Sequence, residues 1–405
     1  MKEKSKDVIA KKQPDGLGFY IHVPFCVSKC SYCDFLSFSV CFTRQENQEI
    51  IKRYVDALCT EITMLPNIET EVDSIFFGGG TPSLLLGDHV EEILSCLRSR
   101  YSIKQDAEIT LECNPGTINN EKLGKYRKSG VNRLSFGVQS LDDSVLKAIS
   151  RIHCAEDFWY SLQLARDHGF TNINADVIVG LPGQTEHSLF STLHQLLAQQ
   201  LPHISLYALI LEEGTLLERE VSQGRVTLPD EDSTLFMQRA AIDQLEKAGL
   251  RRYEISNFAS EGHYCRHNLN TWHMGAYLAA GLGASSALYL ENGKLLRQKN
   301  ESDPQKYLCA IKNNQATISE RERVGREEQM FETVMLGLRL TQGVSNAAFK
   351  KNFGMNLLDV YSSAIYRYQK KGWLYWNGET LAMTESGLEW QNYVLLDFMN
   401  SREGC

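Results

Sequence analysis

The sequence has no run of about 18 apolar residues, the length a helix needs to cross a bilayer. Its first 16 residues are polar and lysine-rich and lack the apolar h-region of a signal peptide. They are expected to be a flexible tail. Excess positive charge is also absent. The 42 Lys and Arg against 50 Asp and Glu leave a net charge of −8, which argues against a chain-wide basic surface for nucleic acid. There is no internal repeat and no low-complexity segment. Nor is there a regular cysteine framework. The 11 cysteines are odd in number, and outside positions 26, 30 and 33 they are scattered at 41, 59, 96, 113, 154, 265, 309 and 405. That suits a reducing cytoplasm, where a free Cys mostly packs as a small hydrophobe.

What is present centres on one loop. The apolar run Phe19 to Val23 ends at Pro24, and Cys26, Cys30 and Cys33 follow as C-x3-C-x2-C. Thiolates select zinc or iron–sulfur clusters. A structural zinc site wants four protein ligands, and no fourth Cys or His lies just downstream. Three cysteines hold a cubane and leave one iron open for a small molecule. Zinc and a coincidental cysteine cluster are the alternatives.

Beyond this loop the chain alternates strand and helix. Strands are predicted at 19–23, 73–77, 107–113, 132–137, 172–179 and 203–210, with helices at 45–65, 89–101, 121–130, 142–149, 156–168 and up to 199. This pattern predicts a parallel sheet with right-handed crossovers, and strands this apolar expect cover on both faces. Six units fall short of the eight that close a TIM barrel. The fold class is therefore α/β, a partial (β/α)6 TIM-like barrel whose mouth lies at the strand C-termini. From Leu211 the pattern changes: a helix over 229–249, a strand over 251–256, the stretch Cys265 to Trp272, and a Gly/Ala-rich stretch from Gly281 to Ser286. Past Gly325, helices at 330–340 and 357–371 and a hairpin on Asn377-Gly378 read as a small helical, winged-helix-like domain. The expected divisions are a tail (1–16), a core barrel (17–215), a barrel extension (216–324) and a C-terminal domain (325–405).

Tyr20-Ile21-His22-Val23-Pro24-Phe25-Cys26 with the three-cysteine spacing resembles the radical S-adenosylmethionine (SAM) superfamily. Gly78-Gly79-Gly80-Thr81-Pro82 and the stretch Asp176 to Thr185 narrow the resemblance. They look like the oxygen-independent coproporphyrinogen III oxidase family and its HemW-type heme-chaperone branch, over nearly the whole chain. The oxidase branch carries a further Cys two residues after the third; here that position is Phe35, preceded by Asp34, as in the chaperone branch. The oxidase branch also has a longer region before the cysteines. The stretch from His267 to Trp272 resembles the chaperone branch's H-N-x-x-Y-W box, with Thr271 where Tyr is expected.

The resemblance implies that Cys26, Cys30 and Cys33 bind a [4Fe-4S] cluster and that SAM sits on its fourth iron, where reduction would cleave the sulfonium bond to a 5′-deoxyadenosyl radical. Gly79, Gly80 and Thr81 would face the aminoacyl end of SAM, and Tyr20 would lie against it. Glu112 would bind the ribose hydroxyls, and Gln139, Arg151 and Asp176 would line the pocket. The bland readings of these residues are a tight turn for the glycines, a core aromatic for Tyr20, a rim salt bridge for Glu112 and a solvated helix-end charge for Arg151. His267 is the candidate heme contact, with Trp272 able to stack on a porphyrin and Cys265 the alternative ligand; its bland reading is a hydrogen-bonded structural residue. No residue is assigned a catalytic role. The C-terminal domain would cover the active site, with DNA binding as its alternative. The implied function is a cytoplasmic heme chaperone that hands heme to an acceptor hemoprotein such as a respiratory cytochrome, with transient contact to membrane-bound acceptors. A homodimer is left open. The alternatives are an oxidoreductase of the coproporphyrinogen dehydrogenase type in porphyrin biosynthesis, and a non-catalytic iron–sulfur protein.

Overall fold

The structure, a computed structural model, describes residues 7–14, 16–40 and 45–400. Cys41, Cys405 and the first six residues of the expected tail lie outside the described residues. Six strands form the core: β1 (Leu17–Val23), β2 (Val72–Gly79), β3 (Ile103–Cys113), β4 (Arg133–Gln139), β5 (Asn172–Val179) and β6 (His203–Ala208). Each pairs in parallel with the next. The helices α1 (Gln45–Met64), α2 (Gly87–Arg100), α3 (Asn120–Ser129), α4 (Asp143–Ala148), α5 (Ala155–Asp167) and α6 (Glu186–Ala198) supply the crossovers. Their ends follow local chemistry. Asn119 caps α3 by accepting the Lys122 N–H, and Gly130 ends it in the left-handed region. Thr185 caps α6 in the same way through Ser188.

The expected partial (β/α)6 barrel is thus present, with additions on both edges. Beside β1, Ala276–Ala280 adds a seventh parallel strand, followed by antiparallel strands Ser285–Tyr289, Leu295–Asn300 and Ile318–Val324. Beside β6, Asn257–Ala259 and Arg251–Arg252 pair antiparallel. Of the strand expected over 251–256 only Arg251–Arg252 forms; the chain turns where the Glu254 carboxylate accepts the Ser256 N–H, and Asn257–Ala259 pairs back on it.

The two faces of the sheet differ in chemistry. In β4, Leu134, Phe136 and Val138 are fully buried beneath the helices. The alternate positions face the barrel interior, where Ser135, Asn174, Asp176, His203 and Ser205 are joined by hydrogen bonds. Both faces are covered, as expected, the outer one apolar under the helices and the inner one carrying this buried polar network. A polar interior makes an inward carboxylate a member of a network rather than a charge in hydrocarbon.

The N-terminal end of the barrel is closed by the helix Arg266–Trp272. Its first N–H groups, on Arg266 and His267, are taken by Glu108 Oε1 at 3.1 and 3.4 Å. The C-terminal domain has its own core, including Val334, Leu338, Phe349, Ile365, Leu381 and Phe398. It comprises helices Arg326–Gly337, Asn346–Phe353, Leu357–Lys370 and Gln391–Asn400, and a hairpin of Leu374–Trp376 with Thr380–Met383. This domain docks on the closed end: the Arg339 guanidinium lies 5.2 Å from the Trp272 ring centroid, and the Thr341 N–H bonds the Tyr253 carbonyl. Arg239 to Glu389 and Arg297 to Glu332, at 2.7 and 2.6 Å, hold it to the barrel as well, so its contacts are with the plug, the Tyr253 turn and the flanks of the barrel rather than with the cysteine loop.

Residues 7–13 of the expected tail are tied down. Asp7 pairs with Arg323 at 2.6 Å, Ile9 bridges Leu290, and Gln13 accepts the Tyr289 N–H at 2.7 Å. Among the described residues no helix is long and apolar enough to cross a membrane.

Candidate functional site

The chain leaves β1 at Val23 and turns at Pro24 into the cysteine loop at the barrel mouth. Cys26 is buried, Cys30 and Cys33 are partly buried, and all three are free thiols. Burial pushes the Cys33 thiol up to about 11, opposed by the Phe35 N–H; the charges of Cys30 and Cys26 push it further up. The sulfurs thus lie in one another's field. Among the described residues no three His, Cys, Asp or Glu could hold a single metal ion. A cubane asks less, since each sulfur binds its own iron. Two hydrogen bonds already point at sulfur: Thr81 Oγ1 to Cys26 Sγ at 3.6 Å and Arg151 Nη1 to Cys30 Sγ at 3.4 Å. Such donors stabilise thiolate charge and tune a bound cluster. His22 braces the loop exit, its ring bonding the Tyr20 hydroxyl at 3.1 Å and the Leu36 carbonyl at 2.9 Å.

The three-glycine turn lies against this loop. A Cβ on Gly80 would stand 2.6 Å from the Phe25 carbonyl oxygen and 3.0 Å from Cys26 Sγ. Gly79 has φ +113°, and its Cβ would meet the His22 ring at 2.6 Å. Close approach to the cysteine loop, not only a turn, thus requires glycine here. Pro82 opens a single 3-10 turn, Pro82–Leu84, and α2 begins later at Gly87.

Glu112 Oε2 accepts the Gly79 N–H at 3.2 Å, so its bonded partner is a backbone amide rather than a rim Lys or Arg. Burial, and then the charge of Asp176, push its carboxyl up to about 8. Asp176 accepts from Asn174 Nδ2 at 2.9 Å and Ser135 Oγ at 3.3 Å, and burial raises it as well. Two inward carboxyls facing one another resist double ionisation. Arg133, fully buried below them, is the cation that opposes this.

Gln139 closes β4 with φ +63°, beside a register shift between Gly137 and Gln139. Such a slip re-aims a side chain. Arg151 is not a solvated helix-end charge. It reaches Asn114 Oδ1 at 2.8 Å, the Gly137 carbonyl and Cys30. Gly137 makes the room, since a Cβ there would stand 2.8 Å from Arg151 Nη2. Asn114 also donates to Thr81 Oγ1 at 3.0 Å, linking two predicted residues, Arg151 and Thr81. The sequence reading assigned no role to Asn114; its place just after Glu112 at a strand end was the available signal. Arg133 was missed too, as a charge at the start of an apolar strand.

The structure therefore brings together Tyr20, Cys26, Cys30, Cys33, Gly79, Gly80, Thr81, Glu112, Gln139, Arg151 and Asp176. Several buried polar atoms inside this end have no partner: Gln139 Oε1, Arg151 Nε and Thr110 Oγ1. Buried polar groups are seldom left so. Unused donors and acceptors beside two carboxyls and a glycine cradle fit a ligand carrying amino, carboxylate and ribose groups. The residues present fit SAM and a three-cysteine cluster.

Among the described residues, His267 touches this group only through Tyr20, whose ring centroid lies 6.4 Å from its own. It lies in the plug helix at the closed end and is 8% exposed. Its Nδ1 bonds Ser74 Oγ at 3.1 Å and its ring stacks on Phe76 at 5.3 Å. Burial alone pulls it down to about 4. Cys265 is fully buried, donates to Glu108 and is pushed up to about 12 by burial. Trp272 presents its face to Arg339.

Comparisons with known proteins agree with this geometry. Residues 20–196 match the radical SAM superfamily and residues 324–390 the HemN C-terminal domain. The chain is 32% identical over 383 residues to heme chaperone HemW of Bacillus subtilis, covering 94% of this chain and 98% of that protein. It is also 32% identical to heme chaperone HemW of Escherichia coli, covering 95% and 98%. Coproporphyrinogen III oxidase (HemN) from Escherichia coli, a radical SAM enzyme, has the same fold, with a TM-score of 0.81 over 96% of this chain and 91% of that one at 21% identity. A radical SAM domain implies a [4Fe-4S] cluster and SAM. With near-full-length identity to these relatives, the chain belongs to the HemW heme chaperone family of radical SAM proteins.

Proposed function

We propose that this protein binds heme in the cytoplasm and delivers it to acceptor hemoproteins such as a respiratory cytochrome, using the cluster and SAM as resident cofactors. The observation that carries the reading is the identity to heme chaperones over almost the whole of both chains. Cys26, Cys30 and Cys33 would hold the cluster. Gly79, Gly80 and Thr81 would cradle the aminoacyl part of SAM against Tyr20, and Glu112, Gln139, Arg151 and Asp176 would take its ribose and remaining polar groups. When bound, the cluster supplies a reducing electron next to a cleavable sulfonium. The chain's own part is to orient: Arg151 bonds Cys30, Gly137 and Asn114 and so ties the cluster loop to the strand ends that would line the SAM pocket. Phe35, where the oxidase branch carries a further Cys, is 59% exposed.

The test is a pair of assays on anaerobically reconstituted protein. Ferric heme titration followed at the Soret band should show stoichiometric binding. Coproporphyrinogen with SAM and reductant should yield no protoporphyrinogen; its formation would replace this reading with the oxidase one.

A further inference from the structure

The two hydrogen bonds that reach cysteine sulfur are not independent. Thr81 Oγ1 donates to Cys26 Sγ at 3.6 Å, and Arg151 Nη1 donates to Cys30 Sγ at 3.4 Å. Between the two donors stands Asn114, the first residue after β3. Its Oδ1 accepts from Arg151 Nη2 at 2.8 Å, and its Nδ2 donates to Thr81 Oγ1 at 3.0 Å. One amide thus joins two of the three cysteines, through the chain Cys30–Arg151–Asn114–Thr81–Cys26.

Elementary chemistry fixes the direction of each bond in this chain. A guanidinium has hydrogens only to give, so the amide turns its oxygen to Arg151. The amide nitrogen then faces Thr81, and Oγ1 accepts from it. A hydroxyl has a single hydrogen. With its oxygen accepting on the Asn114 side, that hydrogen is left for Cys26 Sγ. Reversing the amide would set donor against donor at Arg151 and draw the Thr81 hydrogen away from sulfur.

The amide also starts from a fixed point. The Asn114 N–H bonds Ser83 Oγ at 3.2 Å, and its carbonyl accepts the Thr117 hydroxyl at 2.6 Å and the Thr117 N–H at 3.2 Å. Ser83 and Thr117 bond each other at 2.6 Å, so the Asn114 backbone is anchored on both sides. Arg151 is held in turn by the Gly137 carbonyl. Donors held at sulfur in advance favour the reduced, more negative state of a cluster.

We propose that Asn114 is a positioning residue for the cluster. Its amide aims the Thr81 hydroxyl and the Arg151 guanidinium at the Cys26 and Cys30 sulfurs, and so raises the reduction potential of the bound cluster. The proposal rests on the cluster reading above and adds a residue that acts through two other side chains.

The experiment measures the reduction potential of the reconstituted full-length protein without SAM. It uses an anaerobic mediated redox titration, read from the electron paramagnetic resonance of the reduced cluster. Asn114→Asp keeps the shape and the acceptor for Arg151 but exchanges the donor for an acceptor, so the Thr81 hydrogen turns away from sulfur. The potential should move to a more negative value, and Thr81→Val should move it the same way. The added charge of Asp acts whether or not residue 81 carries a hydroxyl. The shift caused by Asn114→Asp should therefore be smaller in the Thr81→Val background than in the unaltered one. Asn114→Ala, which frees both donors and adds no charge, should shift the potential further than Thr81→Val, and it decides the matter where the Asp variant takes up no cluster. An unchanged potential in Asn114→Ala overturns the role of Asn114, as does an Asn114→Asp shift of equal size in both backgrounds. An unaltered protein that takes up no cluster refutes the cluster reading itself, a result separable from failure of the positioning role.

Discussion

Replacing Glu112 by Gln should make the protein more stable and a poorer binder of SAM, and the stability gain should depend on pH. Burial and Asp176 push the Glu112 carboxyl from 4.5 up to about 8. A carboxyl raised by folding binds more protons in the folded state than in the unfolded one. Its contribution is fully present below 4.5 and is lost as pH rises through about 8. The difference, 8 − 4.5, sets a ceiling of roughly 5 kcal/mol. The side chain reaches the open mouth and is coupled to Asp176, so about 2 kcal/mol is the realistic size. Gln is neutral at every pH and keeps an acceptor for the Gly79 N–H. Urea unfolding of the two proteins without SAM should nearly coincide near pH 5 and favour the variant by about 2 kcal/mol near pH 9. SAM binding, read by calorimetry, should weaken by about 10- to 150-fold, the worth of hydrogen bonds to a charged acceptor. Equal stability at both pH values, or undiminished SAM affinity, would refute the assignment of Glu112 as a strained ligand group.

Three further outcomes follow from the geometry. Cys26→Ala should abolish the cluster absorption of the reconstituted protein; one retained zinc and no iron in the unaltered protein would rule out the cluster. Gly79→Ala must accommodate φ +113° and a clash with His22, so it should cost about 1–3 kcal/mol and lower SAM affinity; wild-type melting and binding would contradict the cradle. Glu61 is buried and takes donors from Gly281, Asn300, Tyr307 and Thr317. Glu61→Ala should therefore destabilise by about 3–5 kcal/mol without altering SAM affinity per folded molecule.

Much of the barrel was legible in the chain because outward strand residues and helix faces repeat at their own periods. Leu134, Phe136 and Val138 are apolar since helices cover them. The inner face was less legible. Ser135, Asn174 and Asp176 stand singly among apolar neighbours, and only the pairing of their strands makes them one network. The seventh parallel strand, Ala276–Ala280, escaped because alanine carries little strand signal. The cysteine loop and glycine turn were readable as motifs, and the glycines' spatial reason appears only where Gly80 meets Cys26. His267 shows the opposite limit. Its partner Ser74 is 193 residues away, so a motif position could not reveal that the imidazole is already engaged. The docking end of the C-terminal domain depends likewise on Tyr253 and Trp272, which sequence order does not place.

The most direct test of the account is heme titration of the reconstituted protein, run in parallel with the coproporphyrinogen assay. The account predicts a saturable Soret change at one heme per chain and no protoporphyrinogen. Absence of the Soret change, or decarboxylation of coproporphyrinogen, would contradict it.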